Sequence, residues 1–460
     1  MPSATLTRFI ARYWGLAVLL LWGGLALWLG RSTPYGLDEG AARALLLNWS
    51  VAGDVVNPIV IFGVPDFRAL IFIPLGIYWS GSLIAAKVFT LLVTFAAAAL
   101  LYRWSRRSLS QEIALIATGL LLIAPLTLAQ ADALAAGPYL LLMFGLGAWL
   151  DNSYRAASRP LGGNYFTQML LVATTVTLHP AGLAYPAALL WHWYKNPLDT
   201  RQQRHMYFGV ILAVLFALLL QAGWHGLSWW RNPLEPLAAV LLGGAQEDGA
   251  AVTVTGFLVA GLTVLVIALN ARKLMDDFMG AMLALALLFG AVAADDAWAM
   301  LMLVVILYYG LPQLIALNES LGPTGYVGKR GGVFALLVIV ATWFMTVDRN
   351  YYEAVKRGLL SPHDQLIHTL IMEEADKKSL RVASQWPART MIACKCEVLP
   401  LPPAAKDGET LLTYLKGITH IVFDPSAPEN RKLGLNIAEV GGRLETVALQ
   451  PGGVILKVRK

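Results

Sequence analysis

The chain is poor in charged residues and in cysteine. Only 14% of its 460 residues are Asp, Glu, Lys or Arg, whereas 57% are hydrophobic, and its mean hydropathy is +0.60. Soluble globular proteins carry about a quarter charged residues, so this shortage excludes an all-soluble protein. The two cysteines, Cys394 and Cys396, are separated by a single residue. At that spacing we expect a mutual disulfide to be strained, and the pair provides no zinc site.

Several motifs of enzymes and pumps are missing. The sequence has no Walker loop, no dinucleotide-binding glycine motif, no His-Glu-x-x-His and no Gly-x-Ser-x-Gly. The lack of a nucleotide-binding loop argues against an ATP-driven pump, and a transferase of this sequence need not use a nucleotide-activated donor. The net charge is +6, but basic and acidic residues are mixed in the C-terminal part. A nucleic-acid partner, which requires basic residues on one face, is therefore not expected.

Long apolar runs recur through the first three quarters of the chain. They are roughly as long as the 20 residues that a helix needs to cross a bilayer, and backbone groups in lipid must be satisfied within the segment. We predict about eleven transmembrane helices. A single kinked helix in place of the break at His179-Pro180 is the alternative, and it would move the C-terminus to the other side. The approximate spans are 11–30, 82–103, 113–129, 133–150, 167–180, 181–194, 206–222, 250–270, 278–294, 298–318 and 331–347.

The distribution of basic residues supports this topology. With the N-terminus inside, the opposite short loops hold only Arg31, Arg43, Arg68 and Arg231, with Lys87 just inside a span. Such asymmetry is the positive-inside pattern. The first span lacks a small-x-small cleavage site, so we expect it to stay uncleaved. The cytoplasmic segments collect Arg8, Arg12, Arg103, Arg106, Arg107, Arg155, Arg159, Lys195, Arg201, Arg204, Arg272, Lys273, Lys329 and Arg330.

The predicted fold is an all-α polytopic membrane bundle over residues 1–347, followed by a small α/β domain over 348–460 outside the cytoplasm. The first outside loop, 31–81, contains two predicted interfacial segments, Gly40–Ser50 and Phe67–Trp79, which place it to meet a lipid substrate. In the tail we predict a helix over Ser361–Lys378, a strand over Leu380–Gln385, a helix over Thr410–Leu415, a strand over Thr419–Phe423 and a hairpin of 443–449 with 453–459.

The most informative motif is Tyr35-Gly36-Leu37-Asp38-Glu39-Gly40, directly after the first span. Two adjacent carboxylates at a membrane surface could act as a general base on an acceptor hydroxyl or amine. They could instead bind a divalent cation, such as Mg or Mn, that neutralises a phosphate leaving group. The alternative is a purely structural role, as a solvated loop or as negative charge at a helix N-terminus.

The order of the motifs resembles that of the integral-membrane glycosyltransferases of the GT-C class, especially the branch of aminoarabinose transferases and protein mannosyltransferases. After Asp38-Glu39 come a span that ends in Tyr102-Arg103-Trp104, a short acidic outside loop, Gln130-Ala131-Asp132, and a tail with α/β character. The resemblance implies a sugar donor linked to a polyprenyl phosphate and an acceptor lipid, glycan or protein on the periplasmic side of a bacterial inner membrane. It implies that Asp38 is the catalytic base, that Glu39 supports it or binds metal, and that Asp132 is the second acid.

A lipid phosphate also needs cations, because an unpaired desolvated phosphate is costly. Lys87 is the strongest candidate, since lysine within a span normally snorkels or pairs. Arg231, after two tryptophans, and Arg68 are further candidates, with an ordinary place in the aromatic belt as the alternative for Arg231. His179 could hydrogen-bond substrate, or it could simply end a helix.

Three functions fit these features. The first is a glycosyltransferase with Asp38 as its base and Lys87, Asp132, Arg231, His179 and Arg68 at the substrate. The second is a non-catalytic scaffold, because alanines flank Asp132 where relatives often have aromatic and basic residues. The third is a transporter of lipid-linked glycans, which predicts ionisable groups deep in the spans and internal repeats. The sequence shows no clear repeat, which disfavours the transporter.

Overall fold

The structure is a computed structural model that divides into two compact units. The bundle unit comprises Met1–Arg31 and Lys87–Tyr351, and the loop–tail unit comprises Ser32–Ala86 and Tyr352–Lys460. The first outside loop thus belongs to the same unit as the C-terminal tail. The residues that the structure describes are 35–51, 72, 78–79, 81–156, 162–197, 200–220, 234–242, 249–321, 326–356, 361–373, 379–403, 405–427, 430–450 and 453–459.

Some predicted features lie outside the described residues. These are the first span, 11–30, most of the second interfacial segment, Phe67–Trp79, and the two candidate cations Arg68 and Arg231. Their predicted roles stay predictions.

The bundle unit is helical in every segment that the structure describes as regular. Its apolar runs leave the backbone only its own groups for hydrogen bonding, which favours helices. Large side chains such as Phe144, Tyr185 and Trp193 are completely buried in its core. The helices are α2 (Leu83–Ser105), α3 (Gln111–Ile123), α4 (Pro125–Asp132), α5 (Ala136–Ala156), α6 (Gly162–Leu178), α7 (Ala184–Lys195), α8 (Thr200–Leu220), α9 (Leu234–Leu242), α10 (Gly249–Asp276), α11 (Phe278–Gly290), α12 (Asp296–Val305), α13 (Leu311–Leu321) and α14 (Tyr326–Lys356), which ends at the loop–tail unit.

Within the described chain, three stretches are long and apolar enough to cross a membrane: Leu83–Ser105, Ala250–Asp276 and Asp296–Leu317. They coincide with the predicted spans 82–103, 250–270 and 298–318. The last of them joins α12 to α13 through a π-helical turn, Ile306–Gly310. Three shorter apolar helices, Tyr165–Leu178, His205–Leu218 and Phe278–Gly290, overlap the predicted spans 167–180, 206–222 and 278–294. The described chain therefore contains the apolar helices that a membrane bundle requires, while the number of eleven spans stays a prediction.

Two predicted spans meet breaks in the helices. The predicted span 113–129 is a pair of helices, α3 and α4, bent by 51° at Ala124. Pro125 begins α4 and lacks the N–H that would continue α3. The predicted break at His179-Pro180 is present, because α6 ends at Leu178, His179 is extended, and a 3₁₀ turn over Pro180–Leu183 precedes α7.

The loop–tail unit contains a five-stranded mixed sheet in the order β2-β1-β3-β5-β4. Strands β1 and β2, and β1 and β3, pair in parallel, whereas β5 pairs antiparallel with β3 and β4. The predicted helices, strands and hairpin of the tail are confirmed, but α16, β2 and α18 were not predicted. The elements are α15 (Pro362–Glu373), β1 (Arg381–Ser384), α16 (Pro387–Cys394), β2 (Glu397–Pro400), α17 (Gly408–Tyr414), β3 (His420–Phe423), α18 (Arg431–Glu439), β4 (Leu444–Gln450) and β5 (Gly453–Val458).

The same unit contains α1, the helix over Glu39–Val51, which confirms a helix at Gly40–Ser50, while its interfacial placement stays a prediction. Its apolar face is buried in protein, with Leu45 only 1% and Leu46 only 2% exposed. Helix α1 contacts α16, which follows β1. The segment that carries Asp38 and Glu39 is therefore built into the folded core of the loop–tail unit.

The two cysteines are bonded to each other: Cys394 and Cys396 form a disulfide. Lys395 between them adopts a left-handed conformation with φ of 55°, which ends α16 and turns the chain back on itself. The two Cα atoms are 5.2 Å apart, within the usual range of about 4.4–6.8 Å for disulfides.

Candidate functional site

Lys87 and Asp132 form a buried ion pair in the bundle unit. The Lys87 Nζ donates a hydrogen bond of 2.7 Å to Asp132 Oδ1, and the two side chains are only 5% and 4% exposed. Lys87 lies in the second turn of α2, and Asp132 is the last residue of α4. The structure thus brings together two predicted substrate-binding residues that are 45 positions apart in sequence. Lys87 pairs with protein rather than snorkelling to the membrane surface.

The position of Asp132 corrects one expectation. Gln130-Ala131-Asp132 was predicted as a short outside loop, but all three residues belong to helix α4 and are buried. Proline at the start of α4 tilts the helix away from α3, and the apolar neighbours of Asp132 carry it inward. The Asp132 Oδ2 atom is buried and has no hydrogen-bond partner within the described residues. A buried carboxylate oxygen with spare acceptor capacity is costly unless it meets a donor.

The bundle unit has further buried polar contacts on the helices that carry this pair. Thr90, one turn beyond Lys87 in α2, is completely buried and its hydroxyl lies 2.6 Å from the Tyr139 hydroxyl of α5. Gln130 of α4 accepts a hydrogen bond from the Gly137 N–H through Oε1. These groups are satisfied by protein partners, as buried polar groups usually are.

Asp38 lies in the loop–tail unit as the residue before α1. Its Oδ2 accepts a hydrogen bond of 3.0 Å from the Ala41 N–H, the geometry of a helix N-cap. The structural alternative considered from the sequence, negative charge at a helix N-terminus, is therefore present. A helix cap and a role in proton transfer are separate functions of a carboxylate, and the cap is the one that the structure shows for Asp38.

Glu39 has several partners within the same unit. Its Oε1 accepts hydrogen bonds from the Ala388 N–H at 3.1 Å and from Arg43 Nε at 3.2 Å. Its Oε2 accepts one from the Arg389 N–H at 3.1 Å. The carboxylate thus caps the N-terminus of α16, where the helix dipole favours negative charge. Burial raises the pKa of Glu39, and Arg43 and the two N–H donors offset only part of that effect.

Asp364, in the tail, has hydrogen-bond partners both in the tail and in the first outside loop. Its Oδ2 accepts hydrogen bonds from Ser361 Oγ at 2.7 Å and from the Gly36 N–H at 3.3 Å, while Arg389 Nη2 lies 3.2 Å from Oδ1. Burial alone would raise the pKa of Asp364, but His363 and Arg389 outweigh it, and the pKa lies below its ordinary value. Gly36 has a φ of 76°, which glycine adopts without strain.

His179, a predicted substrate ligand, has protein partners on both ring nitrogens. Nδ1 accepts the Ala181 N–H at 3.1 Å, and Nε2 lies 2.9 Å from Asp295 Oδ2. Since Nδ1 is the acceptor, the proton belongs on Nε2 and is donated to Asp295. Asp295 also caps α12 through the Trp298 N–H. These contacts fit the structural interpretation of His179 better than a direct role at substrate.

The contacts of Glu39 do not fit a divalent cation. Both Glu39 oxygens already accept hydrogen bonds, and a metal there would compete with Arg43 and the N-terminus of α16. Across the described ranges, no group of three or more His, Cys, Asp and Glu side chains could hold a metal ion.

Sequence reasoning missed Asp364 and Arg389. The run Ser361-Pro362-His363-Asp364 matches the spacing of a capping box, so a cap there could have been predicted. Its contact with Gly36 could not, because the two residues are 328 positions apart and only the folded sheet brings them together.

No protein-family model matches the chain, and no curated protein matches it in sequence. Solved structures do match. ArnT from Cupriavidus metallidurans in the apo state is 13% identical with a TM-score of 0.53, over 98% of both chains. The same protein bound to undecaprenyl phosphate is 12% identical with a TM-score of 0.51, again over 98% of both.

A second solved relative in fold is the oligosaccharyltransferase AglB from Archaeoglobus fulgidus, in complex with an inhibitory peptide and a dolichol-phosphate. It is 12% identical with a TM-score of 0.52, over 94% of this chain and 72% of AglB. At such low identity these matches establish the fold. The chain has a GT-C-like fold, as its resemblance to the GT-C glycosyltransferases predicted.

Proposed function

We propose that the protein is a glycosyltransferase that moves a sugar from a polyprenyl-phosphate donor to an acceptor on the periplasmic side of a bacterial inner membrane. The observation that carries the proposal is the buried Lys87–Asp132 pair within a GT-C-like membrane bundle. A buried ion pair of this kind adds little or nothing to stability compared with apolar side chains. A cation kept inside an apolar bundle at that cost is best explained by an anionic substrate.

The solved relatives in fold support a lipid-phosphate donor. ArnT binds undecaprenyl phosphate and AglB binds a dolichol-phosphate, both of which are phosphates on long polyisoprenoid chains. The phosphate of such a lipid lies at the membrane surface, where cations that are already desolvated bind it strongly. Lys87 has three N–H donors, of which Asp132 receives one.

We propose a direct displacement, with Asp38 as the base that the resemblance implies and Lys87 at the leaving phosphate. An acceptor hydroxyl or amine attacks the anomeric carbon of the donor, and its proton passes to the Asp38 carboxylate. The bond between the anomeric carbon and the phosphate oxygen breaks, and that oxygen keeps the electron pair. The polyprenyl phosphate leaves with its added negative charge stabilised by Lys87. Asp132 holds the Lys87 side chain in place before the phosphate arrives.

The periplasmic location of the tail has independent support from the Cys394–Cys396 disulfide. Disulfides persist in oxidising compartments such as the periplasm and are rare in the cytoplasm. The positive-inside distribution of basic residues in the sequence gives the same orientation.

A non-catalytic scaffold is the second candidate. The observation that favours it is the structural use of both predicted catalytic acids, since Asp38 caps α1 and Glu39 caps α16. A scaffold needs these caps and nothing more. An Asn at position 38 can still cap a helix but cannot accept a proton, which separates the two candidates.

The test compares Asp38→Asn, Lys87→Met and Asp132→Asn in cells, with surface glycans and protein abundance measured together. If the protein is the transferase, Asp38→Asn abolishes the glycan product at unchanged abundance. Asp407→Asn is the matched control, because Asp407 is an exposed N-cap of α17 with the same local geometry. Normal glycans in the Asp38→Asn strain would contradict catalysis by Asp38, and normal glycans in all three strains would favour the scaffold.

A further inference from the structure

We infer that Asp364 and Arg389 of the tail are positioning residues for Asp38, and that the tail thereby controls the base of the transferase. This inference rests on the proposed function, in which Asp38 accepts the proton. It assigns to the tail a role in the chemical step. It also assigns Glu39 a positioning role in place of the catalytic or metal-binding role expected from the sequence.

The segment that contains Asp38 is fixed on both of its sides by the tail. Before Asp38, the Tyr35 hydroxyl lies 3.0 Å from His368 Nδ1, and the Gly36 N–H donates to Asp364 at 3.3 Å. After Asp38, the Glu39 carboxylate accepts the backbone N–H groups of Ala388 and Arg389, each at 3.1 Å. Three successive attachments within five residues leave the backbone at Asp38 little freedom.

The ion pair of Arg389 with Asp364 links the contacts on the two sides of Asp38. Arg389 donates its backbone N–H to Glu39 and its guanidinium to Asp364. Asp364 in turn accepts the Gly36 N–H. Its side chain is only 3% exposed, and that of Arg389 is 16% exposed, so water screens the pair weakly. A change at Asp364 therefore reaches Gly36 directly and reaches Glu39 through Arg389.

The hydrogen bond from Gly36 to Asp364 fixes the backbone turn before Asp38, which packing between helices would not do. The Gly36 N–H points to a carboxylate, and its φ of 76° holds the turn that leads into Asp38. Apolar packing alone would hold α1 on α16 without fixing this turn. A general base must sit within hydrogen-bond reach of the proton that it removes, and a shift of about 1 Å can cost about 100-fold in rate. Fixing the turn fixes the base.

The test uses the full chain in native membrane vesicles, whose polyprenyl-phosphate sugars are labelled with a radioactive sugar. The variants are Asp364→Asn, which removes the carboxylate charge, and Ser361→Ala, which keeps it. The Ser361 hydroxyl donates to Asp364 Oδ2 and accepts from the Asp364 N–H and from Arg389 Nη2. We expect Asp364→Asn to lower the maximal transfer rate per folded protein about 10- to 100-fold, with little change in the donor concentration at half-maximal rate.

The matched control is Glu397→Gln. Glu397 forms a two-bond ion pair with Arg381 in the same sheet, at 2.6 and 2.7 Å, and neither residue contacts the Asp38 segment in the described chain. Its loss should leave transfer unchanged. Arg389→Lys, which keeps the charge beside Asp364, should retain more activity than Arg389→Met.

A readout independent of transfer is hydrogen exchange of the backbone in 35–51. Asp364→Asn should accelerate exchange in that segment while strands β1 and β3 stay protected. The inference is overturned if the segment exchanges as in wild type, or if transfer per folded protein is unchanged although Asp38→Asn abolishes it. Unchanged transfer in Asp38→Asn itself would overturn the proposed function, and the inference with it.

Discussion

The Nζ of Lys87 lies 2.7 Å from the Oδ1 of Asp132, and both side chains are buried within the bundle unit. Because water screens a buried pair weakly, the two charges interact strongly. Substitutions of the pair therefore test the arrangement directly.

Removing one charge of the pair should destabilise the bundle strongly. Lys87→Met leaves a buried carboxylate without its cation, and Asp132→Leu leaves a buried ammonium without its anion. We expect either change to cost about 3–5 kcal/mol, whereas the double variant should recover most of that loss. The measurement is the unfolding midpoint of the purified chain in detergent, followed by size-exclusion fluorescence. Single variants as stable as wild type would show that the two side chains are not paired.

Asp38 should tolerate asparagine structurally but not alanine. Its Oδ2 caps α1 through the Ala41 N–H, and Asn caps helices about as well as Asp does, while Ala costs about 1 kcal/mol. Hydrogen exchange in 39–51 should therefore match wild type in Asp38→Asn and increase in Asp38→Ala. Equal exchange in the two variants would mean that the cap is not formed.

His363 should make the stability of the loop–tail unit depend on pH. Burial, together with the nearby Arg389, lowers the pKa of His363 from its ordinary 6.5 to about 4. Between these values the unfolded chain binds a proton that the folded chain does not, so stability is full above about pH 6.5 and falls as the pH drops toward 4. The whole loss attributable to His363 is about 3 kcal/mol.

The raised pKa of Glu39 has the opposite effect on stability. Because the folded state binds this proton more tightly than the unfolded state, stability falls as the pH rises above the ordinary pKa of 4.5. The informative quantity is therefore the difference between wild type and His363→Gln. Pulse proteolysis of the tail in the full chain, in lipid nanodiscs, should show a steeper decline with acid in wild type. Parallel pH profiles would contradict a buried neutral imidazole at position 363.

The disulfide should be present in cells and contribute modestly to stability. Cys394 and Cys396 are the only cysteines of the chain, so maleimide labelling has no background. Acid-quenched cells should show a mass shift with maleimide–polyethylene glycol only after reduction. Because the bond closes a very short loop, its loss should cost only about 1–2 kcal/mol. Free thiols before reduction would contradict both the bond and an oxidising location for the tail.

The sequence alone determined the class of the protein. Apolar runs long enough for a bilayer and a shortage of charge require a helical membrane bundle, since lipid offers the backbone no hydrogen-bond partners. Local patterns also predicted much of the tail, because strand-like runs and turn residues located β1, β3 and the hairpin. The Asp38-Glu39 motif also stood out, because adjacent carboxylates after a span are unusual.

Only the tertiary structure decided what those residues contact. Lys87 and Asp132 were each singled out, yet the sequence placed Asp132 in an outside loop, whereas it ends the buried helix α4 that begins at Pro125. Glu39 reaches the N-terminus of α16, a helix that short-range patterns missed because it spans only eight residues, Pro387–Cys394. The partners of the Asp38 segment are more than 300 positions away in sequence. Local periodicity describes neighbours along the chain, whereas long-range pairing depends on how sheet and helices pack, and no local pattern encodes that.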